Sequence, residues 1–185
     1  MDAKKIRIAT VTLSDTRTLE DDEGGKLLGE LLAAAGLDVA MHAIVREEAD
    51  AMRAHVEALS RDEGVDAIVL TGGTGIAPRD RTIEVLQPLF DKTLPGFGEA
   101  FRRLSWDDIG PSAMLSRATA GTIHRKVVIA LPGSPKAVRL AVERLIAPIL
   151  AHAVALASGR GGHHGHGKHG AHGGRGPTGI GGGER

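Results

Sequence analysis

Hydrophobic positions along the chain fall into short β-branched runs separated by longer stripes at helical spacing. Ile6 to Leu13 alternates and is rich in Ile, Val and Thr, so it reads as a first strand, ending in the polar cluster Ser14-Asp15-Thr16. From Lys26 to Ala35, Leu27, Leu28, Leu31 and Leu32 lie on one side of a helix that Gly36 should stop. Leu37 to Val45 reads as a second strand. A helix from about Glu48 to Arg61 follows, with Met52, Val56 and Leu59 at helical spacing. The third apolar run, from Asp66, empties into Thr71-Gly72-Gly73-Thr74-Gly75, and Pro78-Arg79-Asp80 leads into a helix predicted over Asp80 to Phe90. Pro95-Gly96 breaks the chain, helical spacing resumes from Phe97 to Leu104, and Ala113 to Arg117 leads into small residues around Gly121. Val127 to Leu131 reads as a buried strand ending in Pro132-Gly133-Ser134-Pro135, and the last helix spans about Lys136 to Ala157, with a bend expected at Pro148.

Strands alternating with helices predict an α/β fold, a mostly parallel sheet with helices on both faces. Three strands end in small polar or glycine-rich loops: Ser14-Asp15, Thr71 to Gly75, and Gly133-Ser134. In open parallel sheets ligands sit outside the carboxyl ends of strands, where strand order reverses. Glycines there let bare backbone N–H groups converge on an anion, above all phosphate. Asp80, just beyond, is a hard oxygen donor of the kind phosphate-bound Mg²⁺ accepts, and a residue type that also caps helices. The spacing matches neither G-x-G-x-x-G nor the Walker G-x-x-x-x-G-K-[ST], which excludes those two nucleotide motifs.

Composition narrows the class. With 185 residues, 42% hydrophobic and 25% charged, one globular domain can bury a sizeable core. Net charge is zero and aromatics are 2%, so nucleic acid is not an expected partner. The absence of cysteine excludes disulfides, zinc–thiolate sites and thiol nucleophiles. No apolar run reaches the roughly 20 residues of a membrane span, and residues 1–13 lack a secretory pattern. The expectation is a cytoplasmic protein without a membrane partner. Phe97, Phe101 and Trp106 read as a core or subunit patch, and His42 and His55 are assigned no role. The acidic run Glu20 to Glu23 is read as a solvated helix lead-in or a metal site.

Half of the 26 glycines and five of the nine histidines follow Ser158. The domain is therefore placed at residues 1–157, and residues 158–185 are expected to be a disordered tail. Its His163, His164, His166, His169 and His172 could chelate transition metals, though a solvated extension is the favoured reading.

Five motifs in order carry a resemblance: Thr71 to Gly75, Pro78-Arg79-Asp80, Leu94-Pro95-Gly96-Phe97-Gly98-Glu99, Met114-Leu115-Ser116-Arg117 and Pro132-Gly133-Ser134-Pro135. Together they resemble the MoaB/MogA family of molybdenum cofactor biosynthesis, over residues 5 to about 153. Gly96 to Ser105 followed by Asp108-Ile109-Gly110 resembles the MoaB branch. The resemblance implies the molybdopterin-binding fold, a three-layer α/β/α sandwich. It also implies a molybdopterin adenylyltransferase that uses ATP and Mg²⁺, or alternatively a MoaB-type paralogue that binds pterin with little or no turnover. By that resemblance Asp80 would hold Mg²⁺ and act in catalysis with Glu47. Gly72, Gly73, Thr74 and Gly75, with Thr71 before them, would cradle phosphate. Ser14, Asp15, Ser116, Gly133 and Ser134 would bind nucleotide or pterin. Assembly into a trimer or hexamer is implied as well. Three positions depart from the family pattern: Glu47 replaces an Asp, Gly24 replaces the Ser of Asp-x-Ser-Gly, and Ile83 stands where a Pro is usual.

Overall fold

The structure is a computed structural model that describes residues 5–160. Of the tail expected from residue 158, Ser158 is instead the last residue of a helix capped by Gly159, and the expected disorder and metal binding otherwise fall on residues 161–185, outside the described residues. Six strands form one sheet in the order β2-β1-β3-β6-β5-β4. They are β1 (Arg7–Leu13), β2 (Asp38–Val45), β3 (Ala67–Thr71), β4 (Lys92–Thr93), β5 (Thr119–Ile123) and β6 (Lys126–Leu131). The first four in spatial order run parallel, and β5 and β4 add an antiparallel edge. The expected mostly parallel sheet is therefore what forms.

Helices α1 (Glu23–Ala34), α4 (Pro95–Ile109) and the long α5 (Pro135–Ser158) cover one face. Their Leu28, Leu32, Phe101, Val138, Ile146 and Leu150 pack on Ile8, Val69, Ile129 and Leu131. Helices α2 (Ala49–Arg61) and α3 (Thr82–Leu86) cover the other. There Met52, Val56, Leu59, Val85 and Leu86 meet Val11, Ile68, Leu70 and Val128. Alternate residues of one strand thus enter different cores, which is why β3 and β6 are apolar throughout. The chain forms the three-layer sandwich.

Several boundaries differ from the sequence reading. Helix α1 starts three residues before Lys26, because the buried carboxylate of Asp22 accepts the Gly25 N–H at 3.0 Å and caps it. It ends where Gly36, at φ 79°, and Leu37 donate to Ala33 and Leu32 carbonyls. Pro95 is the first residue of α4 and begins that helix, as its fixed φ favours. Helix α3 is short and tightens into a 3₁₀ turn over Gln87–Leu89, where Pro88 has no N–H to continue the ladder.

In α5, a π-helical turn over Val142–Ile146 precedes Pro148 and absorbs the missing hydrogen bond. By length and composition this 24-residue helix could cross a membrane, contrary to the sequence expectation. Its Val138, Ala141, Val142, Ile146, Leu150 and Val154 are buried in the core against the sheet, while Ile149 and Leu156 are exposed.

Two glycines of α1 should respond oppositely to alanine. A β-carbon at Gly25 would lie 2.2 Å from Asp22 Oδ2 and 2.7 Å from Thr12 Oγ1, whereas at Gly29 it meets nothing within 4 Å. Urea unfolding should show Gly25→Ala losing about 1–3 kcal/mol and Gly29→Ala gaining about 0.5–1 kcal/mol.

Candidate functional site

Strand order reverses between β1 and β3, since the chain leaves β1 for β2 on one side and returns to β3 on the other. A polar cavity of about 370 Å³ opens at the carboxyl ends of these strands. Ser14 and Asp15 come to it from β1, Glu47 from beyond β2, Thr71 and Gly72 from β3, and Gly133 and Ser134 from beyond β6. Arg17 and Arg79 line it too; Arg79 entered the sequence reading only as part of Pro78-Arg79-Asp80, and Arg17 not at all. A second cavity of about 240 Å³ adjoins it and is mainly apolar. Phe101, Ile109, Pro132 and Leu140 supply its apolar wall, with Thr74, Gly75, Ser116 and Lys136 around it. Ser134 belongs to both cavities.

The glycine loop is shaped by backbone constraints. Gly72 and Gly73 have φ of 104° and 61°, and a β-carbon on Gly72 would sit 2.6 Å from the Leu13 carbonyl. The Gly72 N–H is not available to a ligand, because it donates to the Leu131 carbonyl at 3.0 Å and extends the sheet. The Gly73, Thr74 and Gly75 amides donate to no described residue, and Thr74 and Gly75 lie on the wall of the apolar cavity, not the polar one. Thr82 turns the chain back, donating its N–H to Gly73 O at 3.1 Å and its hydroxyl to Gly72 O at 2.9 Å. Arg117 then straps the loop. Its Nε donates to Gly75 O at 2.7 Å, its Nη2 to Asp80 O at 2.9 Å, and the guanidinium pairs with Glu84. That hydrogen bond from Arg117 holds the Glu84 carboxyl below its ordinary range. The fixed fork of a guanidinium suits one residue to spanning all three partners.

The acids are arranged less simply. Asp15 Oδ1 accepts the Glu47 N–H at 3.1 Å, which brings two carboxylates to one wall. Glu47 Oε2 is buried with no partner among the described residues. Burial foremost, then the negative charges of Asp15 and Asp80, push the Glu47 carboxyl upward, while Arg79 pulls it back. Asp80 lies on the wall of neither cavity. Its Oδ2 accepts the Ala77 N–H at 2.9 Å, and α3 is preceded by Arg81, so Asp80 closes its own loop rather than capping the helix. No cluster of three or more potential ligands preformed for a metal occurs among the described residues. An orphaned carboxylate oxygen beside a second carboxylate still suits Mg²⁺, which takes one or two protein oxygens and fills its shell with phosphate and water.

The acidic run resolves into one buried and three exposed residues. Glu20, Asp21 and Glu23 face solvent, and Asp22 is the α1 cap. His42, assigned no role from the sequence, places Nε2 3.1 Å from Asp22 Oδ2. A clue was present in β1, where Thr10 and Thr12 break an otherwise apolar face and contact this group.

Residues 9–152 match the profile of a family described as a probable molybdopterin binding domain. The chain belongs to this family. Over 150 residues it is 53% identical to molybdenum cofactor biosynthesis protein B of Bacillus subtilis (strain 168), spanning 80% of this chain and 88% of the relative. The Staphylococcus aureus (strain COL) protein of the same name is 45% identical over 154 residues, 82% of this chain and 91% of its own length. A crystal structure of a molybdenum cofactor biosynthesis protein B superposes with a TM-score of 0.81 at 50% identity, over 83% of this chain and 96% of the other. The tungsten cofactor synthesizing protein MoaB of Pyrococcus furiosus gives 0.73 at 37% identity, over 84% and 99%. The fold and the MoaB resemblance read from the motifs are thereby established, and with them a role in molybdenum cofactor biosynthesis.

Glu47 offers a test of the site's electrostatics. A carboxyl raised above its ordinary value of 4.5 binds a proton more tightly folded than unfolded. Stability therefore falls as pH rises from that value through the folded one. Glu47→Gln should melt higher than the parent at pH 7, with the difference vanishing by about pH 4. Thermal melting across that range, without nucleotide or Mg²⁺, checks it.

Proposed function

We propose that this protein adenylylates molybdopterin. An oxygen of the pterin's terminal phosphate attacks the α-phosphorus of ATP, the bond from that phosphorus to the pyrophosphate oxygen breaks, and pyrophosphate leaves. The substrate supplies the nucleophile, so the protein's task is alignment and charge neutralisation. The observation that carries this reading is the pair of cavities, one polar and one apolar, meeting at Ser134. A triphosphate suits the polar cavity, where Arg17 and Arg79 offset its charge. A flat pterin suits the apolar one, with Ser105, Asp108 and Ser116 offering hydrogen bonds to its ring edge. Asp80 and Glu47 would hold Mg²⁺, which when bound neutralises phosphate charge around the reacting phosphorus.

A second reading has its own support. The Asp80 carboxylate is engaged by Ala77, and burial works against the charged form of Glu47. A protein with these acids so disposed binds pterin without turning it over.

Incubation of the full chain with molybdopterin, ATP and Mg²⁺ separates the two, with adenylylated molybdopterin as the readout. Product is expected; bound pterin without product would leave the binding protein standing. Asp80→Ala should lower turnover by about 100-fold or more, the usual scale for losing one charge-stabilising group. Its melting temperature should stay within about 2 °C of the parent, and a collapsed melt would make Asp80 structural.

A further inference from the structure

Below the polar cavity lies a buried charged group that the reaction above does not use. Asp22 is 0% exposed, yet its carboxylate stays ionised-leaning for a visible reason. Burial alone would raise its carboxyl, but hydrogen bonds from Thr12, the Gly25 amide, His42 and Arg17 outweigh burial and lower it. Capping α1 requires one acceptor oxygen, and Asp22 Oδ1 meets that need through Gly25 N–H. The same oxygen also lies 3.2 Å from Arg17 Nη1, and Oδ2 takes His42. Those two partners are more than a cap needs.

Arg17 sits in the loop between β1 and α1, where a long cation would ordinarily sweep through solvent. Here the loop is pinned, since Ser14 Oγ accepts the Arg17 N–H at 3.1 Å and Asp21 Oδ1 accepts the Thr18 N–H at 2.6 Å. Gly24 opens the path for the side chain. A β-carbon there would lie 3.3 Å from Arg17 Nη1 and 3.1 Å from the Gly133 carbonyl. This is the position where the family pattern has a serine. The Arg17 side chain is 41% exposed, it lines the polar cavity, and apart from Nη1 its guanidinium donors bond no described residue. One face of the fork is thus anchored and the rest is left free beside Ser14, Gly72 and Gly133.

We propose that Arg17 is a receptor for the polyphosphate of the incoming nucleotide and that Asp22 is its positioning residue. The inference rests on the nucleotide reading of the polar cavity given above. A guanidinium held on one side by a carboxylate can still offer paired N–H groups to phosphate oxygens, which an ammonium on a similar stem cannot. Anchoring removes the rotamer entropy that a free arginine would lose on binding.

Calorimetric titration of the full chain with inorganic pyrophosphate tests this without any turnover. Arg17→Ala should weaken binding about tenfold, and Arg17→Lys nearly as much, because the fork is lost while the charge is kept. Asp22→Asn retains a good cap and should weaken binding several-fold. The double variant Asp22→Asn with Arg17→Ala should bind no more weakly than Arg17→Ala alone, since Asp22 acts through Arg17. A merely structural Asp22 would lower affinity in either background, and that additive result overturns its role. Unchanged affinity in both Arg17 variants overturns the receptor. Tighter binding by Asp22→Asn would show that the carboxylate only offsets the cation, and also overturns it. Failure of the parent chain to bind pyrophosphate sinks the nucleotide reading itself, which keeps the two failures apart.

Discussion

The exit of β3 passes so close to the end of β1 that the Leu13 carbonyl would stand 2.6 Å from any β-carbon at residue 72. That clearance admits glycine alone, at a φ that glycine alone adopts without strain. Because Gly72 can lie there, its amide continues the sheet to β6 and the next three amides turn out of the ladder. Thr82 brings the chain back beneath the loop, and Arg117 closes it from the β5 side. The candidate site is therefore a consequence of how two neighbouring parallel strands end side by side at the reversal of strand order, and its parts cannot be relaxed one at a time.

The same strand ends concentrate charge. Asp15, Glu47 and Asp80 are near enough for their charges to oppose ionisation of Glu47, and Arg79 offsets this only in part. Without a cation such an arrangement works against stability, and the cost falls on a residue whose Oε2 has no partner among the described residues. Strain of this kind is expected where a ligand completes the structure. On the α1 side of β1 the opposite rule holds. Asp22 is buried deeper, but both of its carboxylate oxygens have partners, so that carboxylate consolidates the helix cap and the loop above it.

Much of the architecture was legible because apolar periodicity and glycine placement are local properties. The four parallel strands, α1, α2 and the closing loops of β1, β3 and β6 stood out as runs of β-branched residues and helical stripes. Strands β4 and β5 did not. Lys92–Thr93 is two residues long and exposed, and Thr119–Ile123 is built of small residues with Gly121 at its centre. A β-carbon on Gly121 would lie 2.5 Å from the Phe90 ring, so its glycine answers a packing demand that periodicity cannot express. Asp80 and Gly72 were legible as members of a loop, while the direction of the one's carboxylate and the use of the other's amide were not.

The order of residues alone determined an α/β sandwich, the glycine loops at strand ends and, through five motifs in series, membership of the molybdopterin-binding family. Those features depend on neighbours in the chain, whose chemistry a sequence displays directly. Which groups meet was decided by the tertiary structure. Arg17 and Arg79 reach one cavity from loops 62 positions apart, Asp22 finds His42 across the β1–β2 step, and Arg117 spans Gly75, Asp80 and Glu84. Charged side chains carry no periodicity of their own, so their partners are set only when the strands pair and the sheet order reverses.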